Sequence, residues 1–262
     1  MKFIALEYHD IVQPGHWDES GFPGGSAATY KLPIDVFREH VDILKLSGVS
    51  ILNEITTGIR DASGSPAIVL TFDDGGSGYL AYAADLLEAN GWRGHLFMTT
   101  GRIGSPGFLT AGNLRDLKDR GHVIGSHSRN HPARMSAVAR GMIDDEWRRS
   151  VADLQDALGS KVNVASVPGG YHSRSVAASA AANGIATLFT SEPVTRVSHV
   201  DGCAVVGRFT LRSNDSATYV ARLVGRAAHA RVGQWCRWNA KKVAKALGGT
   251  YYLQIRRRLL GG

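Results

Sequence analysis

Two adjacent carboxylates, Asp73 and Asp74, sit in the stretch 71–78, TFDDGGSG, directly after the apolar run 67–70. Like charges side by side repel, and one is driven toward its neutral form unless a cation or hydrogen bonds compensate. Asp and Gly are also ordinary turn residues, so this stretch by itself reads first as a solvated turn. Chemistry needs partners elsewhere in the chain. His127 and His131, in HSRNH, are four residues apart. That spacing brings two imidazoles to one side of a helical turn, or of a tight loop imitating one. Neutral imidazole is a ligand for zinc and similar divalent ions. Two His and one Asp make the three protein ligands of a catalytic zinc site, with one position left for water. One Asp then binds the cation and the other stands by as a base. A His pair alone is equally what a surface loop carries, so the elements around these residues have to decide.

Short apolar runs predict strands at 3–8, 67–72, 94–99, 123–125, 162–167 and 185–189. Between them, apolar residues at helical spacing predict helices over 33–46, 78–90, 110–120, 144–158 and 174–183, most of them followed by a glycine. Alternating strands and helices imply an α/β fold with parallel strands and crossover helices. In barrels of this kind chemistry sits on the loops at the C-terminal ends of the strands. Asp73 and Asp74 follow one predicted strand, HSRNH follows another, and PGGYHSR (168–174) follows a third. Three such loops converge on one mouth, which a turn-only reading does not predict.

TFDDG, followed about fifty residues later by HSRNH, resembles the polysaccharide deacetylase family, the NodB-homology domain of carbohydrate esterase family 4. The opening ALEYHDI is similar to the family's first strand, and SVPGG falls at its third motif. The resemblance runs over roughly residues 1–212. It implies a distorted (β/α) barrel and a metal-dependent hydrolase that removes an N-acetyl group from an amino sugar in a polysaccharide or lipid-linked glycan precursor. It further implies Asp73 as catalytic base and Asp74, His127 and His131 as ligands of a divalent ion, zinc foremost. Ser128 would support the ligand loop. The backbone N–H of Gly169 would face the oxyanion, with Tyr171 at the substrate. Two departures stand out. The arginine that braces the base in the third motif is Ser166 here, leaving Arg102, Arg174 and Arg208 as substitutes. The late histidine that serves as general acid has no counterpart in 205–216, leaving His9, His172, His199 or Glu192. Hydrolysis of another non-peptide C–N bond, or glycan binding without turnover, are the rival functions.

The 262 residues are 44% hydrophobic, enough for a sizeable core. Two cysteines, Cys203 and Cys236, imply no disulfide framework and suit a reducing compartment. The N-terminal apolar run is too short and polar for a secretory leader, and no stretch has the length of a membrane span. The expectation is a cytoplasmic protein, peripheral at the inner membrane face if its basic segment adsorbs there. The net charge of +7 is uneven: 216–262 holds ten Lys or Arg and no acid, and the remainder has a net −3. The expected organisation is a catalytic domain over 1–215 and a basic helical extension over 216–262. Val220, Leu223, Val224, Ala227, Val232 and Trp235 follow helical spacing in that extension. It either docks on the barrel or adsorbs to an anionic membrane or a phosphate-bearing glycan lipid. No nucleic-acid motif accompanies the charge.

Overall fold

Side chains alternate across a strand, and this protein uses the alternation to build two interiors from one set of apolar runs. The computed structural model describes residues 3–55, 67–240 and 242. In chain order the elements are β1 (Phe3–Tyr8), β2 (Ile11–Val12), α1 (Gly25–Ala28), β3 (Leu32–Pro33), α2 (Ile34–Leu46), β4 (Ala67–Phe72), α3 (Ala84–Glu88), β5 (His95–Met98), α4 (Ala111–Asp119), β6 (Val123–Ser126), α5 (Arg140–Leu158), β7 (Val164–Ser166), α6 (Arg174–Ala182), β8 (Thr187–Thr190), β9 (Ser198–Val200), β10 (Cys203–Thr210) and α7 (Ala217–Val224). A further helix covers 229–240.

Seven parallel strands run in the order β1-β4-β5-β6-β7-β8-β10, and β10 closes on β1 with Ala5 opposite Arg208. The result is a (β/α) barrel. The antiparallel β9 pairs only with the first residues of β10, at the end away from the mouth. Even-numbered residues of β1 and β4 (Ile4, Leu6, Ile68, Leu70, Phe72) face outward and pack with Phe37, Val41 and Leu44 of α2. Odd-numbered residues face the barrel axis. Phe3, Ala5, Val69, Phe97, Val164, Phe189 and Val206 form its apolar floor. Continuing the same period upward brings Glu7, Asp73, Ser166 and Arg208 above that floor, all buried.

The pattern predicts six strands, and the barrel has seven. The missed one is β10, whose apolar run CAVVGRFT is interrupted by Gly207 and Arg208. The predicted helix 78–90 begins as a π-helical turn over Tyr79–Ala83 before α3. The helix predicted from 144 starts four residues earlier, at Arg140. The apolar stripe of the basic segment is not one helix. Ser216 caps α7 through the Tyr219 N–H, and Val220, Leu223 and Val224 bury in the same core as α2. The chain then breaks at Gly225, and in the next helix Val232 and Trp235 are exposed. Lys241, Lys245 and the RRRLL run at 256–260 lie outside the described residues.

Candidate active site

The loop after β4 turns sharply at Gly75, whose φ of +85° suits glycine and whose Cβ would lie 2.1 Å from Met98 Sδ. Gly76 packs directly on the Asp10 carboxylate, where a Cβ would come within 2.0 Å of Oδ2. The glycines after the two acids therefore press the loop onto β5 and the end of β2. Asp74 itself adopts φ +74°, Ser128 +63° and His131 +54°. Among the described residues only one other non-glycine residue, Asp201, has positive φ. Such backbone costs about 1–3 kcal/mol per residue and persists where surrounding structure enforces it, characteristically at functional sites. Ser128 supplies part of that enforcement: its N–H donates to Ser126 Oγ, and its own Oγ accepts from the His131 N–H.

Asp74, His127 and His131 converge. Asp74 Oδ1 lies 3.5 Å from His127 Nε2 and 3.4 Å from His131 Nε2. Ser166 fixes the tautomer of His127. Its hydroxyl donates to Asp73 Oδ1 at 3.0 Å, so it accepts from the His127 Nδ1–H at 2.5 Å. The Nε2 lone pair of His127 therefore faces the Asp74 oxygen, acceptor against acceptor. Asp74 Oδ1 is buried without a hydrogen-bond partner among the described residues. Burial also holds the His127 pKa down at about 4, outweighing the pull of Asp73, so the ring is neutral. A neutral imidazole oriented by its second nitrogen, a second imidazole and an orphaned carboxylate oxygen fit a divalent cation. His127 is sealed while Asp74 and His131 reach solvent, so the position has an open side. We expect His127→Ala and His131→Ala each to abolish stoichiometric Zn2+ uptake, read by metal analysis after dialysis. Full occupancy in both variants would refute the ligand set.

Asp73 lies beside this group, bound differently. Arg208, fully buried in the barrel, donates from Nη1 to Oδ1 and from Nη2 to Oδ2 of Asp73, each at 2.7 Å. Its Nη2 also reaches Glu7 Oε1 at 2.8 Å, and Nε donates to the Thr190 carbonyl. Burial raises the Asp73 pKa, but the charge of Arg208 and its hydrogen bonds outweigh it and hold the carboxyl well below the usual range. Glu7, His9 and Asp73 form a second cluster of ligand-type atoms within 4.8 Å of one another. Its cation is already present: the guanidinium bridges Glu7 and Asp73.

Of the three arginines considered for the role of Ser166, Arg208 is the one beside Asp73. Arg102 covers the rings of Phe22 and Phe108, and Arg174 pairs with Asp201 at the surface. Among the proton-donor candidates, His199 is exposed on β9, at the opposite end of the barrel. His9 stands in the Asp73 cluster, its ring stacked on Tyr30 at 4.8 Å and its Nδ1 buried without a hydrogen-bond partner among the described residues. Gly169 follows β7 with φ +65°, and Tyr171 leaves the mouth beside Arg134 and Trp238. Sequence reasoning missed Glu7 and Trp238. The odd-residue register of β1, shared with Phe3 and Ala5, could have signalled Glu7.

A buried carboxylate braced by an arginine, next to an Asp/His/His cluster that could hold a cation at the mouth of a (β/α) barrel, fits a hydrolase-type centre. Residues 60–188 match the family model for polysaccharide deacetylase. That stretch is a polysaccharide deacetylase domain. A search of curated protein sequences returns no match. The fold is shared with a polysaccharide deacetylase from Bacillus cereus, at TM-score 0.71 and 18% identity over 86% of this chain and 69% of that one. It is shared also with the Streptococcus pyogenes deacetylase PplD in complex with acetate, at TM-score 0.68 and 19% identity over 86% and 99% of the two chains. IcaB from Ammonifex degensii aligns at TM-score 0.68 and 19% identity, over 85% and 97%.

Proposed function

We propose that this protein is a metal-dependent deacetylase that hydrolyses the N-acetyl group of an amino sugar in a polysaccharide or lipid-linked glycan precursor. The observation that carries the reading is the division of labour between adjacent carboxylates. Asp74 shares a cation position with His127 and His131, while Arg208 and Ser166 hold Asp73 out of it. A divalent ion there, zinc by the His-rich donor set, would supply Lewis-acid polarisation of the acyl carbonyl and lower the pKa of a water.

The chain's own residues do the rest. Asp73, ionised at neutral pH, accepts the proton of the attacking water, and Ser166 and Arg208 keep its carboxylate fixed while it does so. The Gly169 N–H, in the loop after β7, would donate to the oxygen that becomes anionic. His9, clustered with Glu7 and Asp73, donates the proton that lets the amine leave. Tyr30 and the Arg212 guanidinium stacked behind it hold the His9 ring in place.

Acetate release from N-acetylated oligosaccharides, abolished by chelation and restored by Zn2+, tests the activity. His9→Ala tests the donor. Loss of a general acid costs about 10²–10⁴-fold on the amide. An aryl acetate, whose phenolate leaves unprotonated, should lose far less. Equal losses on both substrates would remove His9 from the proton-donor role, and a wild type that releases no acetate would end the deacetylase reading.

A further inference from the structure

The helix over 229–240 lies along one edge of the barrel mouth, outside the stretch matched by the family model. One of its faces makes three contacts at four-residue intervals. Gln234 Nε2 donates to the Thr210 carbonyl, at the end of β10. Trp238 stacks on Tyr171, beyond β7, with ring centroids 5.4 Å apart and planes at 28°. Lys242 reaches Glu192, beyond β8, at 3.3 Å. Thr210 ends a strand of the barrel, and Tyr171 and Glu192 follow two others, on the side where Glu7 and Arg208 sit. The basic segment thus begins as a wall of the mouth. Arg231, donating to the last carbonyls of α7, and Arg237, donating to Tyr219, anchor that wall on its other side.

The contact is chemically incomplete. Trp238 Nε1, Gln234 Oε1 and His172 Nδ1 are all buried without a hydrogen-bond partner among the described residues. Helix-to-barrel packing that existed only for stability would leave few such groups, since each unpaired one carries a desolvation penalty. Here three belong to residues that meet or adjoin at a single seam: Trp238 on Tyr171, His172 next to Tyr171, and Gln234 one turn before Trp238. Trp238 and Gln234 are half-buried, so the seam reaches solvent. The Arg134 guanidinium lies 5.4 Å from the Tyr171 ring centroid at the same edge.

We infer that this seam is a saccharide subsite, which takes the sugar ring next to the acetylated one. The inference rests on the deacetylase reading and names a further part of its substrate. A pyranose matches the inventory: an apolar face for an indole, and hydroxyls that donate and accept at once, as Nε1, Oε1 and Nδ1 require. The subsite would make the enzyme one for oligomeric substrates, with specificity supplied by the helix over 229–240.

The test uses the full chain with Zn2+ and two substrates, tetramers of N-acetylglucosamine in different linkages and an aryl acetate, which has no second ring. Trp238→Ala should raise KM for the preferred tetramer about tenfold, the loss of one stacked ring and its hydrogen bond, with kcat held. The ratio of kcat/KM for tetramer over aryl acetate should fall by the same factor. Trp238→Phe should recover part of it, and Trp235→Ala, on the exposed face, should leave the ratio alone. A ratio that Trp238→Ala does not change, whether both substrates suffer equally or neither does, makes the helix a structural support and overturns the subsite. Wild-type turnover of the aryl acetate with no turnover of any tetramer overturns the deacetylase reading, and the subsite with it.

Discussion

Asp73→Asn is expected to keep the bound cation and to lose about two to four orders of magnitude in turnover, the usual contribution of a general base. Asn is nearly isosteric and still accepts one hydrogen bond from Arg208, but it takes no proton at neutral pH. The cation site should survive because Asp73 is not one of its ligands: Asp74, His127 and His131 share their own position, and Ser166 Oγ still accepts from His127 Nδ1. Arg208 retains Glu7 as a charged partner, so the barrel interior is not left with an isolated cation. The low pKa of Asp73 makes it a weak base that is always ionised. Such a base serves a nucleophile whose own pKa has been lowered, as a divalent ion held by Asp74, His127 and His131 would do. The experiment measures acetate release and zinc content in the same preparation. Turnover within about tenfold of wild type, with zinc retained, would exclude Asp73 as the base.

How far the sequence reaches is best judged from Asp74, His127, His131 and Arg208. The three ligands are local: each sits within a few residues of a strand end, and strand ends on a parallel barrel point to one mouth. Short-range pattern plus topology therefore suffices to bring them together. Arg208 is different. It lies 135 residues from Asp73, on a strand whose run is broken by Gly207 and by the arginine itself. Periodicity reads a charged residue in a strand as a surface position. What reverses that reading is closure of β10 on β1, which turns Arg208 inward above Val206 and Phe97. Closure is a long-range event with no local signature. The basic segment fails for a related reason. Its stripe from Val220 to Trp235 has helical spacing throughout, yet Val220, Leu223 and Val224 bury in the core with α2 while Val232 and Trp235 do not. The break at Gly225 changes which face meets the barrel, and only tertiary contact decides that. Tyr171 was legible as a position but not as an environment, because its ring partner Trp238 is 67 residues away in the chain.

Replacing Arg208 by Met should be the most destabilising change in the barrel interior. The side chain is fully buried and bridges two buried carboxylates, so its loss leaves Glu7 and Asp73 charged above an apolar floor. Breaking a buried pair by removing one partner costs about 3–5 kcal/mol. For a domain of this size that is a fall in Tm of roughly 6–20 °C. The effect should depend on pH, and its sign follows from the direction of the Asp73 shift. In the wild type the Asp73 pKa is depressed, so the ion pair stabilises fully above the unfolded carboxyl pKa of about 4 and is lost as pH falls through the folded value. In Arg208→Met the main opposing charge is gone and burial pushes the Asp73 pKa upward. The variant is then penalised most at neutral and alkaline pH and relieved as Asp73 takes up a proton. The stability gap between wild type and variant should therefore narrow on going from pH 8 to pH 5. The acidic limb of kcat/KM should move to higher pH by the same logic, since the base must be ionised to act. Arg208→Lys separates charge from geometry: one ammonium replaces the charge but not the bidentate fork to Asp73 and the reach to Glu7. It should recover part of the stability and shift the acidic limb less than Met does. Chemical denaturation at the two pH values, with a pH–rate profile for each variant, decides the matter. A gap that stays constant across pH, together with an unmoved acidic limb, would mean that Arg208 holds the barrel together without setting the state of Asp73.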